Sequence, residues 1–324
     1  DRVRRDNRDG VLGAPFARQR ERVTEAGAFV HLERDLAPGW RLDLGLRHDT
    51  VRVDVDDRFL ADGDDSGDRR FHQWSPGAAL LWQAAPSVSA YLRAATGFET
   101  PTTTELADPD GGGGFNRGLG PERTRSLELG VRGATGPASW EAALYTTRAD
   151  DLLVPVPIPS APDRFAFRNA GEARLDGLEL ALDLPLGQRL DLRAAYTWAH
   201  HRYRRYRDAA GTPFDGNRLP GQPRHQAGLA LTYQGTGGLT AVWETRYLGR
   251  LYADDADTAA VPDHAVTDLR LHWQAAPRFA LFAGVNNLLD QEYNANIRIN
   301  ARAGRYFEPA PGRNLYAGVS LYLD

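Results

Sequence analysis

The chain contains no cysteine and no methionine among its 324 residues. Without thiols there is no disulfide framework, no thiolate metal site and no Cys nucleophile. Long apolar runs are missing too: none exceeds five residues, Ala78 to Trp82 being one such run. A spanning helix needs about 20 mostly apolar residues, so none is encoded. A spanning β-barrel stays open, because its lipid face uses only every second residue. Charge of one sign is not in excess: 39 basic and 43 acidic side chains leave a net −4, which argues against a nucleic-acid footprint. The chain starts at Asp1 with no charged-then-apolar leader, and is expected to be a mature chain or a fragment without an address of its own.

What is present is punctuation and alternation. There are 33 Gly and 20 Pro, 53 of 324, about 16% against an average near 12%. Aromatics make up 10% and charged residues 25%, with a mean hydropathy of −0.49, a composition that folds. Six compact turn signals recur every 40 to 50 residues: Ala37-Pro38-Gly39, Ala85-Pro86-Ser87, Thr135-Gly136-Pro137, Pro185-Leu186-Gly187, Gly235-Thr236-Gly237 and Ala276-Pro277-Arg278. Pro presets φ and Gly permits a positive one, so these are tight turns. Long polar stretches alternate with them: 57–70, 100–122 (with four glycines at 111–114), the Pro-rich 150–164, 200–223, 250–262 and 290–312.

The segments between alternate with period two. Leu42, Leu44 and Leu46 interleave with Asp43 and Gly45. Leu127, Leu129 and Val131 interleave with Glu128 and Gly130, and Leu178, Leu180, Leu182 and Leu184 with Glu179, Ala181 and Asp183. The last row is Leu315, Ala317, Val319, Leu321 and Leu323. This is strand periodicity. About 13 strands are expected, many near ten residues or longer, with one aliphatic face and one small, polar or charged face.

Two architectures repeat at this period. A propeller blade has four short strands, and its inner strands are covered on both faces. Each repeat here has two long alternating strands, one tight turn and one long loop, which fits an all-β, antiparallel, up-and-down transmembrane barrel. Trp40, Trp82, Trp140 and Trp273 each lie within four residues of a compact-turn Pro, where an interfacial girdle belongs. An odd strand count conflicts with the even counts of bacterial barrels, so a strand is missed or early strands lie outside the chain.

Several segments resemble the C-terminal barrel region of TonB-dependent outer-membrane receptors. Gly97-Phe98-Glu99-Thr100-Pro101 with Glu105-Leu106 is similar to that family's Gly-Phe-x-x-Pro-Thr-x-x-Glu-Leu signature. Gly120-Pro121-Glu122-Arg123 with Leu127-Glu128-Leu129-Gly130 resembles its Leu-x-Pro-Glu … Glu-x-Gly segment. Asn169-Ala170-Gly171 with Gly177-Leu178-Glu179 is similar to its Asn-x-Gly … Gly-x-Glu step, and Gly45-Leu46-Arg47-His48-Asp49 to its Gly-Leu-Arg-Tyr-Asp strand. Asn287-Leu288-Leu289-Asp290, Tyr293 and Pro311-Gly312-Arg313 resemble its ending. Five motifs keep the family's order across residues 44 to 314.

The resemblance implies a 22-stranded barrel plugged by an N-terminal domain, of which residues 1–324 would be one unit holding the last 13 or 14 strands, without the plug and the early strands. It implies a cell-surface receptor of the Gram-negative outer membrane. That receptor would take up a metal chelate, a ferric siderophore first among them, with TonB, ExbB and ExbD acting through the plug. Lipid and lipopolysaccharide would surround it, and no cofactor or nucleic acid is implied. The family usually ends on an aromatic residue, whereas this chain ends Tyr322-Leu323-Asp324. The alternatives are a passive porin-like channel and a soluble propeller binding module.

Candidate ligand contacts come from the long loops. The densest is His200-His201-Arg202-Tyr203-Arg204-Arg205-Tyr206-Arg207, with Arg202, Arg204, Arg205 and Arg207 as donors for an anionic chelate and Tyr203 and Tyr206 as flat amphipathic surfaces. A lipopolysaccharide-facing or solvated stem is the competing reading of that stretch. Adjacent histidines on a strand point to opposite faces, so the His pair is a poor metal site. Haem receptors of the family usually carry a His after the Phe-x-x-Pro motif; none lies between Gly97 and Glu122. The acidic runs 62–68 and Asp254, Asp255 and Asp257 lack the spacing of a calcium loop and read as solvated loops. Gly97, Pro101, Pro121 and Arg313 read as structural punctuation, Arg313 fixing a loop to the lumen wall. No Gly-x-Ser-x-Gly, His-Glu-x-x-His or phosphate loop is present, so no enzyme is expected.

Overall fold

The computed structural model describes residues 1–61, 63–106, 114–158, 161–208, 210–301 and 304–322. Asp62, Gly111 to Gly113, Pro159 and the Leu323-Asp324 end fall outside the described residues. The strands are β1 (Arg2–Arg8), β2 (Val11–Ala37), β3 (Trp40–Asp57), β4 (Gly67–Ala85), β5 (Val88–Glu99), β6 (Glu122–Thr135), β7 (Ala138–Asp150), β8 (Leu153–Ile158), β9 (Ala161–Asn169) and β10 (Glu172–Pro185). They continue with β11 (Leu190–Arg205), β12 (His225–Gln234), β13 (Leu239–Leu248), β14 (Leu251–Tyr252), β15 (Ala260–Val261), β16 (His264–Ala276), β17 (Phe279–Asn286), β18 (Asn294–Ile297), β19 (Phe307–Pro309) and β20 (Asn314–Leu321).

Fourteen of them form one antiparallel sheet, ordered β1-β2-β3-β4-β5-β6-β7-β10-β11-β12-β13-β16-β17-β20. Each strand pairs with its neighbour along the chain, and β1 and β20 are the two edges. The even number resolves the odd count expected from the sequence. All six compact turns join successive strands of the sheet at one end. Gly39 has φ +80°, as the third position of a Pro-Gly type II turn requires. At the opposite end run the long loops and one tight turn, Asp9-Gly10, with φ of 53° and 81°. Three loops contain small hairpins of their own: β8-β9, β14-β15 and β18-β19. The described parts of the Pro-rich stretch thus fall largely on β8 and β9.

Registry confirms the two faces. One outward row runs Leu42, Leu80, Leu92, Leu129, Leu144, Leu178 and Trp198 across seven strands. Among the described residues none covers Leu92, Leu129 and Leu144, which are exposed. Trp40 and Trp82 stack outward beside the short turns at 5.5 Å. Trp140 and Trp273 face the same way at the same end, the latter donating to the Gly237 carbonyl at 3.0 Å. A second outward belt lies toward the long loops. His48 packs on Trp74 at 4.5 Å and Trp198 on His200 at 5.8 Å, and the Tyr196 hydroxyl bonds His225 Nδ1 at 2.8 Å. Eight residues separate Trp74 from Trp82 on β4, about 26 Å of strand. That matches the ~25 Å apolar band of an outer-membrane barrel bounded by aromatic girdles. No described helix is long and apolar enough to cross a membrane, which says nothing about strands.

Candidate functional site

The inner face is the one onto which the long loops fold. On β3 the pattern changes phase near the loop end. Leu42, Leu44 and Leu46 point outward, yet Val51, Val53 and Val55 are buried on the inner side, and the pairing from Trp40 to Val55 has no register shift. Above the outer belt the outward positions turn polar (Arg52, Asp54, Asp56). The inner positions turn apolar, because a loop covers them. Val51, Val53, Val55 and Phe71 form a core with Leu106 and Leu119 of the β5–β6 loop, joined by Phe98, Phe115, Leu153 and Phe167.

This core explains the first motifs. Phe98 packs on it, and Pro101 is fully buried. Glu105 accepts from the Thr102 amide and hydroxyl at 2.7 and 2.9 Å, closing the turn that carries Leu106. A Cβ on Gly97 would lie 2.8 Å from Thr124 Oγ1, so the strand pair needs glycine there. Pro121 is buried at the start of β6, and Glu122 accepts the Leu153 amide. Asn169 clamps three segments: it accepts from the Gly120 amide at 2.6 Å and donates to the Gly120 and Asp151 carbonyls at 2.9 and 2.8 Å.

The C-terminal motif is likewise a turn lock. Asn287 is buried at φ +52°. Its side chain brackets Gln291 through two bonds, its amide donates to Asp268 at 2.8 Å, and the Leu288 amide reaches Thr267. Asp290 accepts the Arg313 amide at 2.7 Å, beside Gly312. Arg313 thus fastens its loop by its backbone, while its side chain is exposed. Tyr293 stacks on His264 at 4.9 Å.

The basic stretch does not converge on one cavity. A register shift at Glu172/Ala173 places Arg204 in a bulge. Arg202 and Arg205 lie on the outward side. Arg202 donates to the Gly216 carbonyl at 2.8 Å, and Arg205 pairs with Glu172. Arg204 is exposed, and exposed Arg207 holds the Gly211 carbonyl at 3.0 Å. Tyr203 and Tyr206 turn inward and pack on each other at 4.6 Å, with Phe214 beyond. Tyr203 donates to Asp255 at 2.8 Å, and Asn300 donates to the same carboxylate at 2.9 Å. Burial, then the Asp255 charge, pushes the Tyr206 phenol up, keeping it protonated. Three loops, β11–β12, β13–β16 and β17–β20, are thereby joined into one cap.

The described acidic residues of these runs serve as turn locks. Asp57 accepts the Phe59 and Asp65 amides, and Asp64 the Ser66 amide. Burial opposes ionisation of Asp254, but the Thr258 hydroxyl and the amides of 258 and 259 hold it below the ordinary value. Asp257 is pushed up by burial, against the Arg218 amide that bonds it at 3.3 Å. His31, Glu33 and Asp43 bring donor atoms within 4.8 Å on the inner wall; Arg41, 3.9 Å from Glu33, supplies positive charge there.

Below the cap the inner wall is polar. Arg246 pairs with Asp268 at 2.9 Å and Arg270 with Glu244. Gln226, Gly228, Arg246, His264 and Tyr293 line part of a groove of about 490 Å³. The wall offers paired charges and aromatic edges, suited to holding a polar solute. The Val51-Val53-Val55 core and the Tyr203–Asp255 bond escape sequence reading. The first left a signal, the odd spacing between Leu46 and Val51; the second left none, because it joins distant loops.

Comparison with known proteins adds a frame. A family model described as TonB dependent receptor-like, beta-barrel matches residues 1–288. A metal-pseudopaline receptor of Pseudomonas aeruginosa is 27% identical over 292 residues, 87% of this chain and 38% of that protein. The ferrioxamine B receptor of Salmonella typhimurium is 27% identical over 290 residues, 86% of this chain and 38% of that protein. The crystal structure of the siderophore receptor PiuA from Acinetobacter baumannii superposes with a TM-score of 0.77 at 21% identity, covering 93% of this chain and 44% of that one. The chain thus spans about two fifths of the length of the curated relatives it matches.

Proposed function

Because the chain belongs to the TonB-dependent receptor β-barrel family, we propose that it forms part of an outer-membrane receptor taking up a metal chelate, a ferric siderophore in the first instance. The observation that carries this reading is the two-faced sheet. Uncovered leucine rows between two aromatic belts suit lipid, and an ion-paired inner wall under a folded-in cap suits a guarded aqueous path. Energy would come from the TonB–ExbB–ExbD system through a plug domain. Relatives named for pseudopaline and ferrioxamine B support a metal chelate as cargo.

Recognition is assigned to the cap. Arg204 and Arg207 offer exposed guanidinium groups to an anionic chelate, on a stem held by Tyr203, Tyr206 and Asp255; Arg202 and Arg205 support that stem from outside. The test is growth of a receptor-deleted strain complemented with the intact protein, on a panel of iron sources. Rescue by one or more ferric chelates that depends on TonB supports the reading. Rescue that is independent of TonB points to passive diffusion and overturns it.

A further inference from the structure

Near the compact turns, away from the cap and the groove, the inner wall carries three metal-ligating side chains. His31 and Glu33 are two positions apart on β2 and so share a face, and Asp43 on β3 is the direct partner of Glu33. A ring nitrogen of His31 and one carboxylate oxygen each of Glu33 and Asp43 all lie within 4.8 Å of one another. His31 Nδ1 is 3.9 Å from Glu33 Oε1. That is too long for a hydrogen bond, yet within the span of two ligands that each lie about 2.0–2.2 Å from one ion. His31 and Glu33 are exposed, so rotation about their own side-chain bonds closes the rest of the gap.

Two features set the cluster apart from an ordinary group of surface charges. The first is Asp43, whose Oδ1 is buried without a hydrogen-bond partner. A buried carboxylate oxygen left unpaired costs free energy. Its direct cross-strand neighbour is a second carboxylate, Glu33, whose like charge adds repulsion. Arg41 does not relieve the strain on Asp43: it is held by Asp35 at 3.0 Å and comes within 3.9 Å of Glu33 at Oε2, whereas Oε1 is the oxygen closer to His31. Arg41 thus steadies one oxygen of Glu33 and leaves the other to the cluster. The second feature is space. Gly45 is the direct partner of His31, and a Cβ there would meet nothing within 4 Å. The wall beside the imidazole is open to an ion and its water.

We infer that His31, Glu33 and Asp43 bind one divalent transition-metal ion of the zinc class, which ties β2 to β3 just above the Ala37-Pro38-Gly39 turn. Imidazole suits zinc, copper, iron and nickel, whereas calcium and magnesium take oxygen ligands. Two carboxylates and one dication balance in charge, and the ion supplies the partner that Asp43 Oδ1 lacks. Three protein ligands leave a fourth tetrahedral position for water or an arriving ligand from the lumen. The site needs only the inward facing of these three residues and is independent of which chelate the receptor carries.

The test uses the intact receptor in detergent, stripped with a chelator, given micromolar zinc chloride and passed through a gel-filtration column. Plasma mass spectrometry counts the zinc that stays bound. The wild type is expected to retain about one zinc ion more than H31Q/D43N. E33Q alone should lower zinc affinity about tenfold or more. H72Q, which alters a histidine of the outward belt, should change nothing. X-ray absorption of the loaded wild type should show an imidazole nitrogen at about 2.0–2.1 Å, and H31Q should lose that signature. Heat-modifiable gel mobility reports that each variant is folded, and the single variants carry the measurement if the double one is not. Equal zinc retention by the wild type and the folded variants overturns the inference, as does a spectrum without imidazole. So does displacement of the zinc by millimolar calcium, which would mark a site of carboxylate oxygens alone.

Discussion

The ring of Tyr145 lies across the backbone of Gly177, its direct partner on the neighbouring strand. Any Cβ at 177 would collide with that ring, while the hydroxyl continues to His201 Nε2 at 3.1 Å. The glycine is a slot and the tyrosine its cover, an arrangement that pins register across β7, β10 and β11. Tyr91 over Gly130 and Tyr316 over Gly284 repeat it on other strand pairs.

Gly177→Val should therefore destabilise the sheet by about 1–3 kcal/mol through overpacking. Adding Tyr145→Ala should recover part of the loss. A double-mutant cycle on urea unfolding in vesicles measures the coupling; strictly additive effects would show that ring and slot are independent.

Leu180 faces outward and Glu179 inward. Leu180→Arg should cost about 2–4 kcal/mol in bilayer folding, the range for arginine near the midplane. Glu179→Arg should cost far less, since its side chain meets the wet wall. Equal costs in a vesicle folding assay would refute the assignment of faces.

Leu106 and Leu119 are fully buried by the inner valines. Truncating either to Ala should remove about 2–5 kcal/mol of local stability. The effect should appear as faster hydrogen exchange in the β5–β6 loop, with the strands below unchanged.

Asp254 and Asp257 should respond to acid in opposite ways. The folded pKa of Asp257 is raised from the ordinary 3.8, so its charged form costs the loop stability at neutral pH, and that cost fades as pH falls through the raised value. The folded pKa of Asp254 is lowered, so its contribution is present above the ordinary value and is lost as pH falls through the lowered one. Exchange protection of the β13–β16 loop should first rise and then fall on acidification. Asp257→Asn should abolish the rise, and Asn tolerates the φ of +57° found there.

The fold was legible because period-two alternation, Pro-Gly turns and tryptophan placement are local. Leu42-x-Leu44-x-Leu46 alone states a face. The family motifs were legible as residues, and their role as locks follows from partners far along the chain, such as Asn169 with Gly120. The basic stretch shows where sequence reading stops. A single bulge at Arg204 decides which arginines point out, and nothing in Arg-Tyr-Arg-Arg-Tyr-Arg marks it. The Tyr203–Asp255 bond depends on loop closure over 52 residues, which no window of sequence reports.

The phase change on β3 has one last consequence. Since no bulge intervenes, the parity swap between Leu46 and Val51 records, within five residues, where the outward leucine row stops and the loop cap begins. A single-residue deletion in that interval would throw the valines to the outside and drop charged side chains under the cap, so the protein carries its own depth gauge as a reading frame.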